Sequence, residues 1–224
     1  MIDWNPLILT FKLALVTTII LFLIAIPIAY WLSVSKSKIK PIIETIISMP
    51  LVLPPTVIGF YLLLVFSPTN SFSIWLKETF DLQFVFSFEG LVLGSIIYSF
   101  PFMVHPIQSG FKTIPNSIIE AAYLLKKSKL ETLLKVQLPF MKASLLTGIV
   151  LTFAHTIGEF GVVLMIGGNI PNQTKVASIM IYDEVEALQY DVANLYSIIL
   201  FAITFVILLF VYIMNGKYSN KIVG

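Results

Sequence analysis

Long apolar stretches separated by short polar ones dominate the sequence. Five stretches are each close to the length of about 20 apolar residues that crosses a bilayer as a helix. They are predicted at roughly residues 8–32, 42–66, 90–110, 140–166 and 195–214. The pattern therefore predicts an all-α integral membrane protein with one transmembrane domain over residues 8–214.

Prolines interrupt two of these stretches. Pro50, Pro54 and Pro55 lie in the second, where they remove backbone donors and predict kinks or an unwound segment. Such backbone is tolerated in a membrane only where it packs in protein or faces a watery cavity. It therefore either shapes a packed bundle or lines a path through it. Pro101 and Pro106 are expected to interrupt the third span.

Two segments outside the spans also have predicted structures. Residues 67–88 are predicted to form a polar loop. Residues 176–188 are predicted to form a short amphipathic helix at the surface, after a loop signal at 167–173 that is rich in Gly, Asn and Pro.

The composition agrees with a bilayer as solvent. Hydrophobic residues make up 58% of the 224 residues and charged residues 12%, against roughly 25% charged in soluble domains. The chain has no cysteine, which excludes a disulfide framework, a cysteine zinc site and a thiol nucleophile. The start of the chain carries Asp3 and no basic residue before its apolar run, so the first span is expected to be retained as a membrane helix.

Lysines are distributed unequally between the two sides that five spans define. Eleven fall on one side and three on the other, and the second side carries most of the acids. Because positive charge favours the cytoplasm, the N-terminus is predicted outside and the C-terminus in the cytoplasm. The predicted cytoplasmic lysines are Lys36, Lys38, Lys40, Lys112, Lys126, Lys127, Lys129, Lys135, Lys142, Lys217 and Lys221, and the outer ones are Lys12, Lys77 and Lys175.

The basic segment at 111–139 has signals for two short helices. Pro115 suits a first helical turn, and Ser117–Glu120 and Ser128–Glu131 both have the spacing of a capping box. They predict helices at about 116–125 and 129–136.

Small and apolar side chains on the first of these helices suit docking into a groove of a partner. Ala121 and Ala122 offer a small face, and Pro139 is expected to end the second helix and begin the fourth span. The alternative is that Glu120 only caps its helix and the lysines only contact anionic lipid.

The basic segment also resembles a known motif. Ile114-Pro115, Glu120-Ala121-Ala122 and Leu138-Pro139 stand at the spacing of the EAA loop of ABC importer permeases. The resemblance implies that this coupling loop contacts a cytoplasmic ATP-hydrolysing subunit. The residues expected at that interface are Pro115, Glu120, Ala121, Ala122, Leu125, Lys126, Leu138 and Pro139.

Lys126 is where the loop departs from this pattern, because the family usually has Gly there. A glycine takes the left-handed conformation freely, whereas a lysine pays roughly 1–2 kcal/mol for it. The turn between the two helices is therefore expected either at Lys126 or at Lys127-Ser128.

Two further stretches resemble the molybdate permeases among these importers. They are residues 50–60 and residues 153–161, the latter followed by Gly167-Gly168-Asn169-Ile170-Pro171. With the loop, the resemblance covers about residues 8–214. It implies a multi-pass permease of the plasma membrane that imports molybdate, with sulfate or tungstate as the alternatives. It also implies a homodimer with two ATPase subunits and an external binding protein.

Residues of the second and fourth spans are the candidates for the pathway or its gate. Glu159 is the least expected residue inside a predicted span, because an ionisable group at membrane depth is costly. It is interpreted either as a hydrogen-bond hub with His155 or as a lining or gate residue. His105 is expected to serve packing or an interface. The pathway candidates are Pro54, Pro55, Thr56, Gly59, His155, Thr156, Gly158, Glu159 and Gly161.

Motifs of catalysis and nucleotide binding are missing from the sequence. It contains no H-E-x-x-H, G-x-S-x-G or G-x-x-x-x-G-K-[ST] pattern, so the chain is expected to be a non-catalytic subunit on which ATP acts through a partner. No bound cofactor, metal or nucleic acid is expected. The rival interpretations are an intramembrane enzyme that uses Glu159 and His155, and a passive channel.

Overall fold

A computed structural model describes residues 2–219 of the chain, and every element in that range is helical. Lys221, one of the predicted cytoplasmic lysines, lies outside the described residues. The elements are α1 (Asn5–Val34), α2 (Lys40–Ser48), α3 (Pro55–Val65), α4 (Ser71–Phe80), α5 (Phe88–Lys112), α6 (Asn116–Leu124), α7 (Lys129–Thr132), α8 (Leu138–Phe140), α9 (Lys142–Ile157), α10 (Gly161–Gly167), α11 (Ala177–Glu186) and α12 (Tyr190–Ser219).

Helices α1, α5 and α9 pack together and form the centre of the molecule. α1 is apolar all round, and its buried side includes Ala14, Ala25 and Ala29. Small side chains let membrane helices approach closely. Close packing matters here because the hydrophobic effect does not drive helices together in lipid, so van der Waals contacts must do so. By contrast, α12 buries little of itself and exposes Phe201 and Phe205.

The predicted second span is broken, as its prolines indicate. α2 runs into a 3₁₀ turn at Met49–Leu51, and α3 begins at Pro55 after a bend of 108°. Pro54 has the extended backbone that precedes a proline, with φ −55° and ψ 137°. The break therefore lets the first residues of α3 pack against the start of α10 at Gly161, although Pro54 and Thr56 stay exposed.

The third predicted span differs from expectation. α5 is a continuous helix from Phe88 to Lys112 and contains both Pro101 and Pro106. The expectation that these prolines interrupt it is wrong, since neighbouring helices hold α5 together where the proline ring removes a hydrogen bond.

The fourth predicted span is not a single helix. α9 begins after a bend of 76° at Met141 and ends at Ile157, and α10 is a separate short helix. Gly158, Glu159 and Phe160 form the break between them. Pro139 lies inside α8, so the bend falls two residues later than predicted.

By length and composition, three described helices can cross a membrane, or up to five can if each bent pair makes one crossing. The five-span topology and the orientation of the termini stay predictions.

The segment at 67–88, predicted to be a loop, contains α4. Asn70 caps this helix by accepting a hydrogen bond from the amide of Phe72 at 2.9 Å. α11 lies at Ala177–Glu186, as the amphipathic pattern predicts, and packs against α12.

Candidate functional site

Two features of the fold carry the predicted functional residues. One is the coupling loop between α5 and α9, and the other is a cleft where the broken helices meet.

The first helix of the coupling loop starts directly after Pro115. Pro115 occupies the N-cap position with φ −61° and ψ 137°, not the first helical turn as predicted. The side chain of Ser117 does not cap the helix, so the predicted capping box at Ser117–Glu120 is wrong. Ser117 already lies inside the helix, where its hydroxyl cannot reach the free amides at the helix start.

The second helix has the capping box that its sequence predicts. The amide of Glu131 donates to the Ser128 hydroxyl at 3.1 Å, and the amide of Ser128 donates to the Glu131 carboxylate at 3.4 Å. The chain continues beyond α7 through a π-helical turn at Leu133–Gln137, where the prediction has an ordinary helix.

The turn between the two helices lies at Lys126, which adopts the left-handed conformation with φ 56°. The amide of Lys126 donates to the carbonyl of Tyr123 at 2.9 Å, and that of Lys127 donates to the carbonyl of Ala122 at 3.1 Å. This pair of bonds is the Schellman motif that usually has glycine at its left-handed position. Of the two predicted positions for the turn, Lys126 is therefore the observed one.

Exposure separates the predicted interface residues of the loop. Ala122 is buried within the chain, and Leu138 is half-buried. The side chains of Leu124 and Leu125 are 85% and 75% exposed, which leaves two large apolar groups without cover on the tip of the loop. The exposed predicted interface residues are Pro115, Glu120, Ala121, Leu125, Lys126 and Pro139.

Glu131 is the electrostatic centre of the second loop helix. Lys135 lies 3.1 Å and Lys127 lies 3.5 Å from its Oε1. The hydrogen bond from Lys135, the amide of Ser128 and the two lysine charges together lower the pKa of Glu131 from its ordinary value. The ionised form of Glu131 is therefore the one that stabilises this turn.

Six of the nine pathway candidates line one cleft of about 450 Å³. It lies where the break before α3 meets the break between α9 and α10, beside the middle of α5. The six are Pro55, Thr56, His155, Gly158, Glu159 and Gly161. Tyr98 of α5 also lines the cleft.

The other three candidates lie near the cleft and serve the packing. Gly59 is buried where α3 crosses α10, and a β-carbon there would stand 3.1 Å from the Cα of Val162. Thr156 is buried and bonded to α5. Pro54 caps α3.

His155 is held by a chain of hydroxyl groups. The Ser99 Oγ lies 3.0 Å from His155 Nδ1 and 3.1 Å from Thr156 Oγ1, while the Thr156 hydroxyl donates to the carbonyl of Thr152 at 2.9 Å. Since the proton of Thr156 is used, Ser99 donates to Thr156 and His155 donates from Nδ1 to Ser99. In the neutral ring, Nε2 is then an acceptor. The imidazole also stacks on Phe102, with 4.0 Å between ring centroids.

Glu159 is 4% exposed, and among the described residues neither carboxyl oxygen has a hydrogen-bond partner. It lies against Ser95 of α5, whose buried hydroxyl is also unpaired. The hydrogen bond between Glu159 and His155 that a hub requires does not form, because His155 turns to Ser99. Within residues 2–219, no group of three or more His, Asp or Glu residues is placed to hold a metal ion.

Comparison with known proteins decides the family. The sequence profile of the binding-protein-dependent transport system inner membrane components matches residues 22–223. The chain belongs to this family. It is accordingly a multi-pass integral protein of the inner membrane and a permease component of a transport system.

The permease has several similar relatives. It is 43% identical over 187 residues to the molybdenum transport system permease protein ModB of Azotobacter vinelandii, which covers 83% of this chain and 82% of that one. It is 35% identical over 208 residues to a probable sulfate transport system permease protein cysT of a Helicosporidium species, covering 93% and 77%.

The fold of the permease is that of a solved transporter. Its structure superposes with a TM-score of 0.74 on a chain from an inward-facing structure of the MetNI methionine ABC transporter, at 14% identity. The match covers 95% of this chain and 94% of that one.

Sequence reasoning about the permease missed the α5 side of the cleft. Ser95, Tyr98, Ser99 and Phe102 of α5 meet Glu159 or His155, and none was predicted. A signal was present, since Ser95 and Ser99 are four residues apart and so lie on one face of the helix.

Proposed function

We propose that this chain is the membrane subunit of an ATP-driven importer for molybdate. The proposal of molybdate as the substrate rests on the 43% identity to ModB over most of both chains. The likeness to probable sulfate permeases keeps sulfate as the competing substrate.

The coupling loop is where the proposed ATPase subunits dock. Its two helices are fixed by a Schellman turn and a capping box, so the loop is a defined part of the fold. Leu124 and Leu125 project from its tip, and apolar side chains of this size are the anchors that a partner's groove accepts. Two copies of the chain would then rock between inward-open and outward-open states as ATP binding favours one of them.

The cleft is the part of the pathway that one copy contributes. It lies at the helix breaks, where backbone groups are not all used within a helix. In the part of the chain that the structure describes, no lysine lines it, and its polar side chains are Thr56, Tyr98, His155 and Glu159. A tetrahedral dianion would therefore pass by transient hydrogen bonds, with strong selection left to an external binding protein.

Uptake by the complete complex tests the proposal. The chain is expressed with its ATPase and binding protein in a strain that lacks molybdate uptake, and uptake of molybdate is measured with tungstate or sulfate as competitor. Molybdate uptake that requires ATP and resists excess sulfate is expected. Uptake of sulfate in preference to molybdate would replace the proposed substrate, and uptake without ATPase or binding protein would favour a channel.

A further inference from the structure

We propose that Glu159 works as a neutral carboxylic acid that donates a hydrogen bond to the oxyanion in the cleft. The inference rests on the proposed function, because it assigns a substrate contact to the pathway of an oxyanion importer.

The surroundings of Glu159 favour the neutral acid. The side chain is 4% exposed. Within the described residues, its two oxygens have no hydrogen-bond partner and no lysine lines the cleft beside it. Burying an ionised carboxylate without a partner is strongly unfavourable, and proteins avoid this by keeping the group neutral.

Neighbouring side chains do not provide a counter-charge. The titratable groups that face Glu159 are Tyr98 on α5 and His155 on α9, and Tyr182 on α11 packs against the adjacent Phe160. His155 donates from Nδ1 to Ser99 and therefore gives no hydrogen bond from that atom to Glu159.

The neutral acid suits the proposed substrate. A tetrahedral oxyanion only accepts hydrogen bonds, and a carboxylic acid has one O–H to donate, whereas a carboxylate has none and repels the ion. The hydroxyl of Ser95 lies beside this carboxyl group without a hydrogen bond of its own, so it is a neighbouring donor available to the other carboxyl oxygen.

The helix opposite adds to this anion site. Pro55 and Thr56 line the cleft at the N-terminus of α3, an 11-residue helix. Pro55 has no amide hydrogen, and the amide of Val57 already donates to the carbonyl of Pro54 at 3.0 Å. Among the first three residues of α3, the amide of Thr56 is therefore the one left to offer at the positive end of the helix dipole. Glu159 and the first residues of α3 therefore line the same cleft.

Three variants of the reconstituted complex test the proposal. Glu159→Gln keeps a neutral donor, Glu159→Ala removes it, and Glu89→Gln makes the same change at an exposed position. ATP-driven molybdate uptake is measured across pH 6 to 9. We expect Glu159→Gln to keep uptake within about twofold and Glu159→Ala to lose about tenfold or more, as for one hydrogen bond to a charged group.

The pH profile separates a substrate donor from a structural group. Uptake by the unchanged complex and by Glu89→Gln should fall as rising pH ionises Glu159, and the profile of Glu159→Gln should lack that fall. Because His155 is present in all three, the difference between profiles isolates Glu159.

Several outcomes would overturn the proposal. They are loss of uptake or of assembly in Glu159→Gln, identical pH profiles in all variants, or full uptake in Glu159→Ala. If the unchanged complex moves no oxyanion, the proposed function fails instead. In that case the thermal stability of the complex still tests whether Glu159 is protonated. A buried neutral acid loses its stabilising effect as rising pH ionises it, so stability should fall with pH in the unchanged complex and lack that fall in Glu159→Gln.

Discussion

The amide of Lys127 donates to the carbonyl of Ala122 at 3.1 Å, across a turn in which Lys126 is left-handed. This bond fixes the direction in which α7 leaves α6. A β-branched or bulky residue rarely adopts the conformation of Lys126, and even an unbranched one is strained there. The coupling loop therefore keeps the geometry of a glycine turn without the glycine.

Replacing Lys126 with Gly should stabilise the loop. The strain of the left-handed backbone is about 1 kcal/mol, and glycine removes it. Lys126→Ala removes the same charge but keeps the β-carbon, so it is the matched control. Thermal unfolding of the complex and ATPase binding should both favour Gly over Ala. Equal stability of the two variants would show that the charge, not the backbone, matters at this position.

Ser128→Ala should destabilise the second loop helix by about 1 kcal/mol, because it removes the acceptor for the amide of Glu131. Ser117→Ala is the control, since that side chain caps nothing. Hydrogen exchange of residues 128–137 should rise in the first variant and not in the second. Faster exchange around Ser117 in the Ser117→Ala variant would contradict the observation that the Ser117 side chain caps nothing.

The contribution of Glu131 should depend on pH. Its pKa is lowered in the folded loop, so the stabilisation is present above the ordinary value of 4.5 and is lost as pH falls through that range. Glu131→Gln should therefore expose the loop to proteolysis more than the unchanged chain at neutral pH. The difference should vanish well below pH 4.5, and a difference that persists there would assign the effect to something other than charge.

Local signals in the sequence predict the coupling loop well and its details less well. The two helices and the Ser128 cap follow from residues within a few positions of each other, whereas the sequence left the turn open between Lys126 and Lys127-Ser128. The Ser117 box failed because Pro115 already ends the preceding extended segment, so the helix starts before Ser117 can cap it. The π-helical turn before Pro139 has no signal that a capping or periodicity argument would find.

The sequence predicts the helix breaks and the acid of the cleft, but not the residues of α5 that line it. Prolines and glycines mark the breaks in the second and fourth spans, and an acid inside a span marks Glu159. To predict the residues of α5 that line the cleft, one must know which face of this long apolar helix is directed toward α9 and α10. Tertiary packing decides that face, so the sequence could offer only His155 as the partner in the hub interpretation of Glu159, whereas His155 bonds Ser99.

Leu125→Ser should weaken binding of the ATPase subunit by about tenfold, since an exposed leucine that a groove buries contributes about 1.5–3 kcal/mol. Leu188→Ser is the matched control, because Leu188 is 72% exposed and lies outside the loop. Co-purification and ATP-driven uptake should fall only in the first variant. Equal losses in both would mean that the substitution acts through general stability.

Gly161→Ala should damage the cleft where Gly158→Ala does not. A β-carbon at Gly161 would stand 2.8 Å from the Cβ of Pro55 and 3.2 Å from the backbone nitrogen of Thr56, and neither atom belongs to a flexible side chain. α10 and α3 would have to move apart, at a cost of about 1–3 kcal/mol.

A β-carbon at Gly158 would meet only carbonyl oxygens of the preceding turn at 3.8 Å, which is ordinary contact. Both glycines line the same cleft, so the pair separates a close approach of two helices from mere occupancy of the space. The melting temperature and uptake should drop for Gly161→Ala and stay unchanged for Gly158→Ala. Should Gly158→Ala instead block uptake with stability intact, the space beside Gly158 is itself part of the substrate's path.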